Sequence, residues 1–227
     1  MEKRLIFDSS SIINFSMNGL TDLFVKLKNI FNGKFIMTSE VKYETIDRPL
    51  QIKKFELAAL KIKKLLDDGI FEPPSKECSQ LEIKNETAKI LNYANNSLTA
   101  RGEFIHLIDR GEASCIAMDI MCRKAGIKSV IVIDERTTRM LGEKPENLRK
   151  LLESKLHTSV EMKHDFEFMK DITFIRSSEL VYIAWRKNLI ELKGGDVLDA
   201  LLYATKFKGN SISRQEIEEI KRIGRAS

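Results

Sequence analysis

The sequence predicts an α/β fold in which a parallel sheet of four to five strands is covered by helices on both faces and followed by a C-terminal helical extension. Three observations predict it. Short apolar runs end at Phe7 and Ile133, each followed at once by an aspartate; helical apolar spacing fills the chain between them; and the strand–helix alternation resumes after residue 171. The run Val130-Ile-Val-Ile133 has no polar interruption, which suits a strand buried on both faces of a parallel sheet.

Taken in order, residues 4–7 form an apolar strand closed by Asp8, and Ser9, Ser10 and Ser11 supply hydroxyls suited to a helix start. Residues 34–37 open a second unit. There Thr38 and Ser39 can cap a helix carrying Val41, Glu44 and Thr45, which Pro49 discourages from continuing. Apolar spacing predicts a helix over 55–66 stopped by Gly69, a brief edge strand at 70–71 ahead of Pro73 and Pro74, and a polar-faced helix over 81–98. From Gly111, the positions Ala113, Ile116, Ala117, Ile120 and Met121 mark a helix with one buried face, ended by Gly126. The strand at 129–133 follows, joined to its neighbours by right-handed crossovers. A helix-rich, Lys-rich stretch over 141–170 interrupts the pattern. Residues 172–175 then read as a last edge strand of the same sheet, followed by helices over 178–189 and 196–207 and a tail helix opened by the capping box Ser213-Arg-Gln-Glu216. The organisation expected is one domain over 1–227: a core of 1–140 and 171–209, an insertion of 141–170 and a C-terminal helix within 210–227.

A chain of 227 residues can bury a core without disulfides. The three cysteines, Cys78, Cys115 and Cys122, form no CxxC pair, so they are expected to be core thiols in a reducing compartment. The apolar run before Asp8 is too short for a signal-peptide core and no later run spans a bilayer, so a soluble cytoplasmic protein is expected. A net charge of +5 favours polyanionic partners, with Lys53-Lys54, the lysines of 61–64 and those of 144–155 as candidate surfaces or simply solvated helix faces.

The chemistry is expected at the carboxyl ends of the strands, where ligand sites of open α/β sheets gather. Asp8 and Asp134 stand there directly, Glu112 lies in the first turn of the helix before the second of these strands, and Glu44 lies on the helix after residues 34–37. A carboxylate following a buried strand is desolvated at a cost unless something meets it, whereas an acid in a first helical turn can simply answer the helix dipole. A cluster of carboxylates suits a hard ion, Mg²⁺ or Mn²⁺. Zinc is not expected, because His106, His157 and His164 have no metal-ligand spacing.

These residues also carry a family resemblance. Leu-Ile-Phe-Asp8-Ser-Ser10 resembles the first motif of PIN domains, Thr38-Ser-Glu-Val-Lys-Tyr-Glu44 the second, Gly111-Glu112-Ala-Ser the third and Val130-Ile-Val-Ile-Asp134-Glu135-Arg-Thr-Thr-Arg139 the fourth. The stretch from Glu179 to Gly209 is similar to the C-terminal helices of a prokaryotic, largely archaeal subgroup. Two departures are the length of 141–170 and a Glu, in place of the more frequent Asp, at position 112. The resemblance implies an endoribonuclease in which Asp8, Glu112 and Asp134 hold Mg²⁺ or Mn²⁺, Glu44 and Glu135 complete the shell, Ser10 orients a carboxylate or water, and Arg139 or Arg136 clamps a phosphate. It further implies RNA as substrate, a homodimer, and an antitoxin partner where such a nuclease is the toxin of a toxin–antitoxin pair.

Two rival readings stand beside it. One keeps the fold as a catalytically silent RNA- or protein-binding module. The other is a haloacid-dehalogenase-type phosphatase, suggested by Gly195-Asp196-Val-Leu-Asp199; against it, Ser10 stands where that chemistry needs a second Asp, and Asp196 reads better as a helix N-cap.

Overall fold

A computed structural model of the chain describes residues 2–75 and 78–225; the final two residues of the expected tail, 226–227, lie outside them. Strand β1 (Lys3–Phe7) runs into Asp8, which caps helix α1 (Ser9–Met17) by accepting from the Ser10 amide. Helix α2 (Asp22–Ile30), not expected from the sequence, leads to β2 (Lys34–Ile36). Thr38 then caps α3 (Ser39–Lys42), which widens into a π-helical turn over Tyr43–Asp47 before Pro49. Such turns shift the register of side chains on a helix and recur at functional sites; here the turn carries Glu44.

Helix α4 (Lys53–Asp67) ends near Gly69, whose φ of +73° favours a residue without a Cβ. After it, Glu72 pairs with the end of β2 as an isolated parallel bridge, so the edge pairing expected at 70–71 falls just beyond those residues. Helix α5 (Gln80–Asn95) stops short of the expected 98, because Leu98 belongs to a strand, β3 (Leu98–Ala100), which turns back into β4 (Glu103–Phe104). Helix α6 (Arg110–Lys124) and strand β5 (Lys128–Val132) follow as expected.

The stretch expected as a helix-rich insertion contains α8 (Pro145–Leu156), preceded by α7 (Arg136–Glu143), but it also contributes strand β6 (Val160–Met162). Strand β7 (Phe174–Ile175), helix α9 (Ser177–Arg186), helix α10 (Val197–Phe207) and helix α11 (Arg214–Arg225) complete the chain. The capping box opens α11 as the sequence predicts: Glu216 N donates to Ser213 Oγ at 3.1 Å and Ser213 N donates to Glu216 Oε2 at 2.8 Å. The expected N-cap at Asp196 stands before α10, but its side chain makes no capping hydrogen bond.

Four strands form one parallel sheet in the order β2-β1-β5-β7. Successive residues Leu5, Ile6 and Phe7 are all buried although their side chains alternate between faces, so helices cover both sides. The last strand takes the edge position expected for 172–175, with Val132 opposite Ile175. A second, antiparallel sheet of order β4-β3-β6 ties the 141–170 stretch back to residues 98–100. One contiguous set of buried apolar side chains runs from Leu5 to Ile217 and includes Leu148, Val160 and Met169 of that stretch. No helix among the described residues is long and apolar enough to cross a membrane.

Candidate functional site

Parallel strands deliver their carboxyl ends to one edge, and the first two candidate side chains arrive there by chain direction alone. Asp8 follows β1 and Asp134 follows β5 by two residues; Asp8 N donates to the Val132 carbonyl at 2.9 Å, so the two strand ends are locked in register. Ser10 joins the two acids. Its hydroxyl donates to Asp8 Oδ2 at 2.5 Å and accepts from Asp134 N at 3.1 Å, while its own amide donates to the same Oδ2 at 2.9 Å. The orienting role expected of Ser10 thus has a geometric basis.

Glu44 and Glu112 come from helices. Glu44 Oε1 accepts from Gly111 N at 3.1 Å, the first turn of α6, and the Ser9 hydroxyl also reaches its carboxylate. A Cβ on Gly111 would lie 2.4 Å from Glu44 Oε2, so only glycine permits this approach. Glu112 Oε2 accepts from Asp109 N at 2.7 Å. The capping role anticipated as the plain explanation of an acid at this position is therefore present.

Asp8 and Asp134 are almost fully buried and Glu112 is 9% exposed, while Glu44 is half-buried. Burial is the largest influence on all four, and it raises every one of these carboxyls above its ordinary range. Mutual repulsion adds to it: Asp134 raises Asp8, and the Asp8 charge raises both Glu44 and Glu112. Glu112 is pushed up to about 8. Asp8 is thus the electrostatic centre of a four-carboxylate group, and it holds one unmet need: Asp8 Oδ1 is buried with no hydrogen-bond partner.

The four acids are not equally free. Asp134 Oδ1 accepts from Ser177 N at 2.8 Å and Oδ2 from Asn14 Nδ2 at 2.8 Å, so both oxygens are engaged in holding α9 and α1 to the sheet edge. Among the described residues, no three acidic, histidine or cysteine side chains are gathered tightly enough around one point to hold an ion as they stand. The reason is visible in these hydrogen bonds, which draw Glu112 toward Asp109, Glu44 toward Gly111 and Asp134 toward Ser177. The donor chemistry is nonetheless that of a hard-cation site: every group is a carboxylate oxygen, burial first and neighbouring charges second raise their pKa values, and one buried oxygen has no hydrogen-bond partner.

The auxiliary residues lie around this group. Glu135 caps α7, accepting from Thr138 N at 2.9 Å, and its charge acts on Glu112. Arg139 Nη2 donates at 2.7 Å to the Ser211 hydroxyl, which in turn donates to the Asp134 carbonyl at 2.8 Å. Asp199 is ion-paired with Lys221 of α11 at 2.6 Å, which gives the Gly-Asp pattern a structural use on the C-terminal helices. Sequence reasoning missed Asn14 and Ser177, which clasp Asp134, and Cys115, whose buried thiol feels the charges of Asp8, Glu44 and Glu112. Gly111 was visible as part of a motif, but nothing in the sequence announced its contact with Glu44. No family model matches the chain, and no curated protein matches it; the likeness to PIN domains rests on the four motifs themselves.

Proposed function

We propose that this protein is a PIN-type, metal-dependent endoribonuclease that hydrolyses RNA phosphodiesters at the group formed by Asp8, Glu44, Glu112 and Asp134. The observation that carries the reading is that burial raises all four carboxyls around a buried, unpartnered Asp8 oxygen, with Asp134 raising Asp8 and the Asp8 charge raising Glu44 and Glu112. Such an arrangement is strained without a cation, and strain of this kind collects at functional sites. Asp8, Glu112 and Asp134 would hold Mg²⁺ or Mn²⁺, with Glu44 beside them. Bound there, the ion supplies a water of lowered pKa and positive charge for the leaving 3′-oxygen. Ser10 fixes the rotamer of Asp8 through two hydrogen bonds, and Gly111 fixes that of Glu44 through one. Burial holds the Glu112 carboxyl at about 8, so it keeps its proton near neutral pH, and a cation bound there would favour its ionised form. The same reading takes RNA as substrate, a protein antitoxin and a second copy of the chain as partners, and the cytoplasm as the place of action.

A second reading, a catalytically silent RNA- or protein-binding module on the same fold, is favoured by the engagement of both Asp134 oxygens. The two separate on one variant. Asp8→Asn keeps an acceptor for Ser10 and removes the central charge, so Mn²⁺-dependent cleavage of a generic single-stranded RNA should vanish while the metal-free melting temperature stays level or rises. A variant that melts lower yet cuts normally makes Asp8 structural, and a wild-type protein that never cuts leaves the silent module.

A further inference from the structure

Glu44 belongs to two neighbourhoods. Gly111 holds its carboxylate in the acid group, and the same residue lines a concave pocket of about 350 Å³ where α1, the π-helical turn and α4 meet. The walls are mostly apolar: Ile13 and Met17 come from α1, Ile52 from the residue before α4 and Phe55 from its first turn. All four are exposed, from 38% for Ile13 to 57% for Met17. Large apolar side chains left open around a concavity are the usual lining of a ligand site.

The polar groups at the pocket choose its occupant. Lys54 has no ion pair among the described residues, and its Nζ lies 5.3 Å from the centroid of the Phe55 ring, so positive charge stands over the aromatic wall. Arg48, exposed at the end of the π-helical turn, lines the pocket with no side-chain hydrogen bond or ion pair among the described residues. Glu44 is the only acid in the lining. Ser16, in the wall from α1, has a covered hydroxyl without a hydrogen-bond partner, whereas the Thr45 hydroxyl is already bonded to the Val41 carbonyl at 2.8 Å. Rotation about χ1 would turn the Ser16 hydroxyl to a polar edge in the pocket.

We infer that this pocket takes one unpaired nucleobase of a single-stranded RNA, on the strand whose phosphodiester is presented to the carboxylates; that the strand reaches the carboxylates rests on the nuclease reading. A base has a flat apolar face for Phe55 and polar edges for Ser16, and the phosphates that flank it complement Lys54 and Arg48. An apolar protein segment would leave the Ser16 hydroxyl unmet and set uncharged side chains beside the two cations. Size agrees: the volume lies at the low end of the range of about 300 to 1,000 Å³ for ligand pockets, which suits one ring system better than a row of side chains. Stacking on an aromatic face tolerates any base, so the pocket selects unpaired over paired RNA rather than one base over another.

The test measures binding of a short, labelled single-stranded oligoribonucleotide to the full-length protein in EDTA, where no cleavage intervenes, beside a strand of equal length from which every base has been removed. Wild type should prefer the base-bearing strand by about tenfold or more. Phe55→Ala should weaken binding of that strand about tenfold, leave the abasic strand unaffected and keep the log–log salt dependence, because no phosphate contact is lost. Phe55→Trp, which keeps a stacking face, should restore wild-type affinity. Met17→Ala, at an exposed position on a different helix, should give a smaller loss in the same direction with unchanged melting, which guards against a variant that merely misfolds. Equal affinity of wild type for the two strands, or unchanged affinity of folded Phe55→Ala for the base-bearing one, overturns the base pocket and leaves it to an apolar protein segment, whatever the cleavage assays show. If the wild-type protein never cuts RNA yet the variants lose binding as expected, the nuclease reading falls and the base pocket stands.

Discussion

At the scale of single residues, Glu112 sets the clearest expectation. Its carboxyl is raised from an ordinary 4.5 to about 8, so the folded protein binds this proton more tightly than the unfolded chain does. The group's contribution to stability is therefore least unfavourable below pH 4.5 and worsens as pH rises through the window up to about 8. Glu112→Gln keeps an acceptor for the Asp109 amide and abolishes the titration. Thermal melts without metal should show the variant gaining on wild type as pH climbs from 5 to 8, and parallel curves across that range would contradict the assignment. Gly111→Ala probes a neighbour: its Cβ would force Glu44 aside, and under the proposed nuclease function that displacement is expected to lower cleavage on the order of 100-fold with little change in melting. Wild-type rates from this variant would remove Glu44 from the reaction. Asp8, Asp134 and Glu112 were legible in the sequence because strand ends and helix first turns are local patterns. The partners that restrain Asp134 were not, since Asn14 and Ser177 lie 120 and 43 residues away along the chain.

Elements show the same division between local and remote. Strand β5 was plain in a run of β-branched residues, and α11 in its capping box, because each signal is contained within the element. Strands β3 and β6 have three residues each and pair across some 60 positions, Leu98 opposite Met162, so neither carries an apolar run that separates it from its surroundings. The docking of α11 is itself open to measurement. Burial acts to raise Glu216, but the Ser213 amide and Arg176 outweigh it and hold the carboxyl at about 2. Its stabilising effect is thus complete above an ordinary 4.5 and lost as pH falls toward 2. The single tryptophan, Trp185, reports on this directly, because a Cβ on Gly224 of α11 would touch its ring at 3.1 Å. Acidification across that window should shift Trp185 emission before far-ultraviolet circular dichroism registers loss of the core. Glu216→Gln should flatten the emission transition there; an identical transition in the variant would place the acid-sensitive contact elsewhere.

Across the whole molecule, the parallel sheet, the edge place of its last strand and the carboxylate edge followed from the strand–helix alternation, whereas the order of the other strands and the weight of residues 141–170 did not. Their length and lysine content suggested an appended surface, yet Leu148, Val160, Phe166 and Met169 are buried in the common core. Replacing 145–170 by a short linker should consequently prevent soluble expression or lower the melting temperature sharply, since several core side chains are removed at once, each worth about 2 to 5 kcal/mol. Soluble protein with native melting would show the stretch to be dispensable. The ends of the main sheet carry a different consequence. Beyond β2, Glu72 occupies the backbone groups of residues 35 and 37 with bonds of 2.8 and 3.0 Å, and Pro73 and Pro74 follow at once. At the other end β7 offers two residues before Arg176. Neither margin presents a run of free amides long enough to template a further strand, so the sheet resists edge-to-edge growth and the aggregation that follows from it. Association through this sheet is thus disfavoured, whereas on the helices α1 and α4 turn Met17, Phe55 and Leu57 toward solvent.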